Sequence, residues 1–273
     1  QPKDKKLIKM NKKILVIGGK GFIGSRFISL CKHRCEVFDR DHVMLPPDSY
    51  DTIVYLAAEP NLRSARLYPE NAFKTMTSML FDAVKEYSDS HFIFISSSMV
   101  YGNWTKNMMN EDDPKAPLDM YGQLKLTAES IVKDYHKNYT IVRPSSVYGP
   151  GDNTSRVVSF FIHYIKQNLR LTLKGADNLF DWTFVDDVAT GLNQIVDSKN
   201  VKNKIYNLTR GKAYSLEHMT KILYEMLDKT PNYKIVKQPD NYPSRGALNI
   251  SKAIKDFNYK PKFNLKDGIG KMI

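Results

Sequence analysis

The chain has 273 residues and a formal net charge of +12 at pH 7, because 41 lysine and arginine residues outnumber 29 aspartate and glutamate residues. This length can bury a sizeable core, and no apolar run approaches the length that spans a bilayer, so we expect no membrane partner. The lysines are dispersed, without the blocks or aromatic interleaving of a nucleic-acid-binding face. The charge therefore indicates a solvated basic surface and no nucleic-acid partner.

The first 11 residues are lysine-rich and lack the apolar core of a signal peptide. We interpret residues 1–11 as a disordered leader and expect the protein to lie in the cytoplasm. The two cysteines, Cys31 and Cys35, have no further cysteine that would complete a zinc site. They are interpreted as reduced thiols, and no metal site is predicted.

From residue 12 to residue 150, short apolar runs alternate with amphipathic stretches. This alternation predicts a parallel sheet with helices on both faces, and unbroken β-branched runs predict strands that are buried on both sides. The predicted fold class is therefore α/β, a Rossmann-type doubly wound parallel sheet. The predicted strands are 13–17, 36–39, 52–56, 91–96 and 139–143, and the predicted helices are 22–32, 71–87 and 121–137.

After residue 150 the pattern changes. Helical segments at 157–166, 186–196 and 215–227 are separated by short strands and by loops rich in proline and asparagine. We therefore predict a dinucleotide-binding domain over 12–150 and a smaller, mixed substrate-binding lobe over 151–273, with some return of the chain to the main sheet.

Three glycines, Gly18, Gly21 and Gly24, directly follow the first predicted strand and open the first predicted helix. Such a turn must be tight, its backbone must approach a pyrophosphate, and its helix must pack closely on the strand; each requirement favours glycine. The N–H groups and partial positive charge of the helix N-terminus then favour the phosphates. The turn predicts a dinucleotide site.

The residues after the second predicted strand bear on the choice of dinucleotide. Asp39 ends that strand, where a carboxylate can accept hydrogen bonds from the adenine ribose hydroxyls, and this favours NAD. Arg40 follows immediately, and Lys20 lies inside the glycine turn. Both cations are able to balance the carboxylate or bind a 2′-phosphate, although Arg40 is equally well explained as a solvated strand-end residue. The predicted cofactor is NAD or NADP.

A serine run, Ser96 to Ser98, stands at the C-terminal end of a predicted strand, where open α/β sheets bind ligands. Tyr121 and Lys125 are four residues apart and share one face of a predicted helix. An ammonium near a phenol lowers the phenol pKa and brings proton exchange toward neutral pH. Alone, such a pair is better explained by a packed tyrosine and a solvated lysine. Its position after the glycine turn and the serines favours proton transfer coupled to hydride transfer.

Five segments occur in the order of a known family: Gly-Gly-x-Gly-Phe-Ile-Gly (18–24), Asp-Thr-Ile-Val-Tyr-Leu-Ala-Ala (51–58), Ser-Ser-Ser-x-Val-Tyr-Gly (96–102), Tyr-Gly-x-x-Lys (121–125) and Arg-Pro-Ser-Ser-Val-Tyr-Gly-Pro (143–150). The chain resembles the extended short-chain dehydrogenase/reductases of the nucleotide-sugar epimerase/dehydratase/reductase group. The resemblance extends from about residue 12 nearly to the end of the chain. It implies an NAD(P)-dependent oxidoreductase that acts on a nucleotide sugar.

The resemblance also assigns roles to individual residues. It implies catalytic roles for Ser97, Tyr121 and Lys125. Together with the turn residues, the predicted cofactor-binding set is Gly18, Lys20, Gly21, Phe22, Ile23, Gly24, Asp39, Arg40, Leu56, Ala57, Ala58, Ser96, Tyr121, Lys125 and Pro144. The predicted substrate-binding set is Ser97, Ser98, Met99, Tyr121, Ser146 and Arg245.

Departures from the family pattern narrow the expected reaction. In the 4,6-dehydratases two acids follow the active-site Ser/Thr, and the decarboxylases have a glutamate at the second of these positions; here the residues are Ser98 and Met99. A thioether cannot act as a base, so neither reaction is expected. Epimerases usually carry Arg-Asp where this chain has Phe180-Asp181, and frequently an asparagine where it has Ser146.

Other segments distinguish a reductase from an epimerase. The short connection between Asp39 and Asp51 and the tail at 243–252 resemble dTDP-4-dehydrorhamnose reductase and related 4-ketosugar reductases, with Arg245 as the diphosphate-binding candidate. By contrast, the segments 143–150 and 184–189 look more like those of epimerases.

The first hypothesis is therefore NAD(P)H-dependent reduction of the C4 keto group of a nucleotide-linked 4-keto-6-deoxysugar. The alternative is an NAD-dependent nucleotide-sugar 4-epimerase, in which tightly held NAD oxidises C4 and returns hydride to the opposite face. A third, less favoured hypothesis is a non-catalytic module that binds a cofactor or RNA. The resemblance implies a homodimer formed through the helices at 71–87 and 121–137.

Overall fold

The computed structural model of the chain describes residues 11–39, 44–59, 62–104, 106, 108–152, 156–237 and 244–273. Residues 1–10 of the predicted leader lie outside the described residues. The strands are β1 (Lys13–Ile17), β2 (Arg34–Phe38), β3 (Thr52–Tyr55), β4 (His91–Ile95), β5 (Met108–Met109), β6 (Tyr139–Arg143), β7 (Val147–Tyr148), β8 (Leu171–Lys174), β9 (Leu179–Phe180), β10 (Thr183–Phe184), β11 (Lys204–Asn207), β12 (Tyr214–Ser215), β13 (Tyr233–Val236) and β14 (Ala247–Leu248). The helices are α1 (Phe22–Leu30), α2 (Leu62–Leu67), α3 (Pro69–Met76), α4 (Ser78–Glu86), α5 (Met120–Tyr135), α6 (Val157–Lys166), α7 (Val185–Asp197), α8 (Leu216–Met226), α9 (Ser251–Phe257) and α10 (Leu265–Gly270), with a 3-10 turn over Ser98–Tyr101.

In the described part of the chain, the main sheet has six parallel strands in the order β11-β6-β4-β3-β1-β2. The strand order reverses next to β1, as it does in a doubly wound sheet. The predicted fold class is therefore confirmed. β11 comes from beyond residue 150, so the C-terminal half of the chain contributes a strand to this sheet.

The sheet is buried on both faces because successive residues of its strands enter two separate cores. On β1, Ile14 and Val16 join the core formed with α1, α7 and α9, whereas Leu15 and Ile17 join the core formed with α4 and α5. All four side chains are fully buried. Two apolar faces explain why the strand sequence has no polar alternation.

The smaller lobe has a core of its own. Apolar side chains of α6, α8 and α10 pack with β8, and the parallel pair of β8 and β13 closes one side. Tyr148 and Phe184 belong to the core of the smaller lobe. Their chain neighbours Val147 and Val185 belong to the core that β1 shares with α1, so these two cores meet here. Every helix in the described part of the chain is too short or too polar to cross a bilayer.

The observed element boundaries differ from the predicted ones by one or two residues in most elements, and two differences bear on the fold and the site. The helix predicted over 71–87 is interrupted at Thr77, whose backbone is non-helical (φ −129°, ψ −83°). Both the hydroxyl and the backbone N–H of Thr77 donate to the carbonyl of Phe73 (2.7 and 2.9 Å). β2 begins at Arg34 and ends at Phe38, so Asp39 lies just beyond the strand rather than at its last position.

A buried carboxylate on α7 holds the C-terminal segment against the main sheet. Asp187 accepts the backbone N–H groups of Lys262 (2.7 Å) and Phe263 (3.1 Å), and its side chain is 3% exposed. Burial raises the pKa of this carboxyl group, while the two N–H groups favour its charged form. Asp187 therefore links the end of the chain to the helix that packs on α1.

Replacing Asp187 with alanine should leave these two N–H groups without their acceptor, which costs about 1–3 kcal/mol of unfolding free energy. Asp187→Asn keeps an oxygen acceptor and should lose less. Urea unfolding followed by circular dichroism measures both variants. An alanine variant as stable as the unmodified chain would show that Asp187 does not anchor the segment.

Candidate active site

The glycine turn is packed so closely that side chains are excluded from two of its positions. Gly18 has φ +86°, and a Cβ built there would lie 2.8 Å from the backbone nitrogen of Ala57. A Cβ on Gly24 would lie 2.5 Å from the carbonyl oxygen of Gly18, so α1 lies directly against the turn. Gly21 caps α1 without a side chain, which leaves the first N–H groups of the helix facing the turn. This cradle fits a dinucleotide pyrophosphate.

Asp39 lies beside the glycine turn. The backbone N–H of Lys20 donates to Asp39 Oδ2 (3.2 Å), and the N–H of Gly18 donates to the carbonyl of Phe38 (2.8 Å). The carboxylate is thus held where an adenine ribose would lie, and it fits the 2′-hydroxyl of NAD better than a 2′-phosphate. Arg40, the residue that would favour the phosphate, lies outside the described residues.

The three residues predicted to be catalytic are brought together. Lys125 Nζ donates to the carbonyl of Ile95 (2.7 Å) and lies 6.0 Å from the centre of the Tyr121 ring. Ser97 is close enough to Tyr121 to act on the titration of its phenol. Ser97 also accepts the N–H of Met99 (3.2 Å), which fixes its side chain at the end of β4.

The environment shifts both titrating groups of this set. Burial lowers the pKa of Lys125 to about 7, and the negative charge of Glu129 opposes this change. Burial also raises the pKa of Tyr121, whereas the charge of Arg156 and the hydrogen bond from Ser97 lower it. Lys125 therefore changes charge close to neutral pH, which is the condition under which a lysine–tyrosine pair can exchange protons with a substrate.

Sequence reasoning missed Arg156. Its guanidinium lies 5.3 Å from the centre of the Phe22 ring, at the start of α1, and its Nε pairs with Asp152 (3.1 Å). Arg156 precedes α6, and no motif marks it. It reaches the site only because the chain after β7 returns over the glycine turn, so its role depends on tertiary structure.

On the predicted substrate side, Arg245 lies against Met99. Its Nη2 is 2.8 Å from the Met99 sulfur, and its guanidinium lies 5.4 Å from the centre of the Phe180 ring. Met99, Ser97 and Arg245 therefore form one cluster. Ser146 adopts a left-handed backbone (φ 40°) after β6, and its carbonyl accepts the N–H of Thr183 (3.3 Å).

The remaining predicted residues have mainly backbone or packing roles. Ser96 is 2% exposed and its hydroxyl donates to Glu129 (2.5 Å), so that hydroxyl is directed into the protein. Ser98 is buried and donates its N–H to the carbonyl of Pro144 (2.9 Å). The other residues line the turn or pack beside it: Phe22, Ile23, Leu56, Ala57 and Ala58.

Comparison of this chain with known proteins identifies related sequences and structures. A family model described as the NAD dependent epimerase/dehydratase family matches residues 31–209. YtcB of Bacillus subtilis strain 168, named an uncharacterized UDP-glucose epimerase, is 27% identical over 234 residues, 81% of this chain and 73% of that protein. A dTDP-glucose 4,6-dehydratase of Streptomyces antibioticus is 24% identical over 238 residues, 82% and 69% of the two chains.

Among solved structures, the UDP-glucuronic acid 4-epimerase of Bacillus cereus in complex with UDP-glucuronic acid and NAD has a TM-score of 0.85 to this chain. The two chains are 24% identical, and the match covers 95% of this chain and 97% of that one. At this identity the likeness supports the fold, and it agrees with the doubly wound sheet described above.

Replacing Arg156 with methionine should raise the pKa of Tyr121, because the variant loses the cation that favours the phenolate. Arg156→Lys keeps the charge and should alter the titration less. The measurement is the near-ultraviolet absorbance of tyrosinate as a function of pH, with the titration of the same variant carrying Tyr121→Phe subtracted. A Tyr121 titration unchanged in Arg156→Met would remove Arg156 from the site's electrostatics.

Proposed function

The chain belongs to the NAD dependent epimerase/dehydratase family, and on that premise we propose that it is an NAD-dependent nucleotide-sugar 4-epimerase. The observation that carries the proposal is the convergence of Ser97, Tyr121 and Lys125 beside the glycine turn. These groups suit proton transfer at a hydroxyl or keto oxygen. Proton transfer is the only step that hydride exchange at a single carbon requires from these three side chains.

The cofactor proposed for the site is NAD. The family is named for its NAD dependence, and the Asp39 carboxylate beside Lys20 N–H suits unphosphorylated ribose. The Bacillus cereus structure was solved with NAD. When bound at the glycine turn beside Asp39, NAD would supply a site that can take hydride from C4 of the sugar and give it back on the opposite face.

The chain's own residues move the accompanying proton. In the oxidative half-reaction Tyr121, as phenolate, takes the proton of the C4 hydroxyl, and the charge of Lys125 stabilises that phenolate. Ser97, which lies close to Tyr121, donates to the same substrate oxygen as a carbonyl forms. In the reductive half-reaction Tyr121 returns the proton to the oxygen.

Residue 99 argues against dehydration, although one of the relatives is named a dehydratase. Elimination of water needs an acid or a base beside the sugar, and Met99 supplies neither. Its sulfur instead contacts Arg245. The site is therefore equipped for C4 hydride exchange without a following elimination.

A 4-ketosugar reductase is the second candidate function. Phe180 stands where epimerases usually carry a diphosphate-binding arginine, and the connection from Asp39 to Asp51 is short. The same Ser97, Tyr121 and Lys125 would protonate the C4 oxygen while an external NAD(P)H is consumed. We place the epimerase first because relatives on both the sequence and the structure side are named epimerases.

The proposed substrate is a hexose linked to a nucleoside diphosphate. The relatives reported above are named for UDP-glucose, dTDP-glucose and UDP-glucuronic acid. Arg245 is the diphosphate-binding candidate, because it is a cation that lies within the Met99 cluster and directly precedes β14, the partner strand of β5.

We also propose that the chain forms a homodimer through α4 and α5. Phe81 on α4 and Tyr135 on α5 are 36% and 55% exposed, and their rings meet edge to face with centres 5.0 Å apart. Phe73 on the neighbouring α3 is 60% exposed. Exposed aromatic side chains on adjacent helices, two of them in contact, are typical of a protein interface.

The proposed reaction is tested by cofactor content and turnover. The purified protein should carry NAD and interconvert the C4 epimers of a UDP- or dTDP-hexose without net consumption of NADH. Tyr121→Phe should lower turnover by roughly two to four orders of magnitude, because it removes the group that transfers the proton. Stoichiometric oxidation of NADH or NADPH by nucleotide-linked 4-ketosugars would identify the reductase instead. Near-normal turnover in Tyr121→Phe would remove this residue from either mechanism.

The dimer is tested by Phe81→Asp, which places a carboxylate in the centre of the aromatic face. We expect sedimentation velocity to show a dimer for the unmodified chain and a monomer for the variant. The matched control is Ile254→Asp on α9, where the side chain is 44% exposed, outside this face; its mass should be unchanged. A monomeric unmodified chain would contradict the proposal.

A further inference from the structure

Helix α5 carries a third ionisable residue on the face of its catalytic pair. Tyr121, Lys125 and Glu129 follow each other at intervals of four residues, so their side chains lie along one side of the helix. Lys125 is 3% exposed and Glu129 is fully buried. A buried carboxylate one turn from a buried ammonium requires a physical explanation, because each charge is costly away from water.

Three donor atoms hold the Glu129 carboxylate in place. Arg143 donates from Nε to Oε1 (2.8 Å) and from Nη2 to Oε2 (2.7 Å), which is the two-bonded geometry of a strong arginine–carboxylate pair. The hydroxyl of Ser96 donates to Oε1 (2.5 Å). A carboxylate held by this many donors has little freedom to move.

Arg143 is fixed in the same way from its other side. Its Nη1 donates to the hydroxyl of Tyr101 (2.9 Å) and to the backbone carbonyl of Glu111 (2.8 Å), and its side chain is 1% exposed. The guanidinium therefore has no room to turn toward Lys125. Glu129 is therefore the charged side chain that follows Lys125 by one turn on α5.

Several other charged or titratable groups lie on the elements around α5, some of them buried. The 3-10 turn contributes Tyr101, β6 contributes Arg143, and the loop before α5 contributes Glu111, Lys115 and Asp119, whereas β4 offers the Ile95 carbonyl. The charged side chains described on the helices that pack on α5 are all exposed: Arg63, Arg66, Glu70, Lys74, Asp82, Lys85 and Glu86. Burial lowers the pKa of Lys125, and Glu129 is the charge that raises it.

We propose that Glu129 is a positioning residue for proton transfer: its buried carboxylate, clamped by Arg143 and Ser96, keeps Lys125 charged beside Tyr121. The inference rests on the proposed function, because a charged Lys125 matters only where Tyr121 exchanges a proton. A merely structural Glu129–Arg143 pair would attach α5 to β6 and leave the titration of Lys125 unchanged. The two roles are therefore separable by experiment.

The test is Glu129→Gln, studied in the full chain with NAD⁺ added. The amide keeps the shape and one acceptor but removes the charge. Lys125 should then lose its proton at a pH that is lower by about 1 or more, which is the change that loss of a nearby charge produces in a buried site. The measurement is NMR of ¹³C-labelled lysine side chains, in which the Lys125 signal is identified by its loss in Lys125→Arg.

Turnover should follow the same titration. The alkaline limb of the kcat profile should move to lower pH together with the deprotonation of Lys125. If the alkaline limb moves down by about 1 on the pH scale, kcat of Glu129→Gln should be about tenfold lower than kcat of the unmodified chain at pH values above the pKa of Lys125. Activity should recover as the pH is lowered toward the new limb. The control is Asp187→Asn, which also replaces a buried carboxylate with an amide but lies on α7; the Lys125 titration and the kcat limb should both stay where they are in the unmodified chain.

Glu129→Gln leaves the Arg143 charge buried without its counter-charge and can unfold the protein. Glu129→Gln combined with Arg143→Met removes both charges and keeps the proposal testable, and Lys125 should still titrate below its unmodified pH. An unchanged Lys125 titration in either folded variant would overturn the proposal. The NMR measurement needs no substrate. Absence of sugar turnover in the unmodified chain would therefore contradict the proposed function, and the Lys125 titration would still test the role of Glu129.

Discussion

The buried ion pair between Glu129 and Arg143 is the interaction on which the rest of the site depends. It joins the catalytic helix α5 to β6, the strand that passes beneath it in the main sheet. Neither residue reaches water, so the pair is stable only because every polar atom finds a partner, and losing one partner would leave an uncompensated charge. The position of α5 relative to the sheet is therefore strictly determined.

The pair also connects the two lobes. Arg143 and Tyr101 lead to Asn207 on β11, whose amide donates to the carbonyls of Met109 and Asn249 on either side of the β5–β14 pair. The chain that leads into β14 carries Arg245. One polar network therefore positions both Lys125, the lysine proposed to serve proton transfer, and the segment that presents the candidate diphosphate ligand.

The parts of the molecule that could be predicted from sequence are those set by local pattern. The glycine turn, the Tyr121–Lys125 spacing and the apolar strands each express a short-range requirement, and the structure places them as expected. The interruption at Thr77 falls within a segment of good helical periodicity, and no local pattern marks it. Arg156 and the Glu129–Arg143 network depend on which distant elements meet, and periodicity carries no information about such contacts.

Met99 is the side chain that bears most directly on whether the site can eliminate water. An acid at this position would pair with the Arg245 guanidinium that now lies 2.8 Å from the sulfur, and the charge of each would be largely cancelled by the other. A thioether accepts hydrogen bonds only weakly and carries no charge, so residue 99 itself supplies no counter-charge to Arg245. Residue 99 therefore lacks the acid or base that would drive elimination, and this supports the proposed hydride exchange over dehydration.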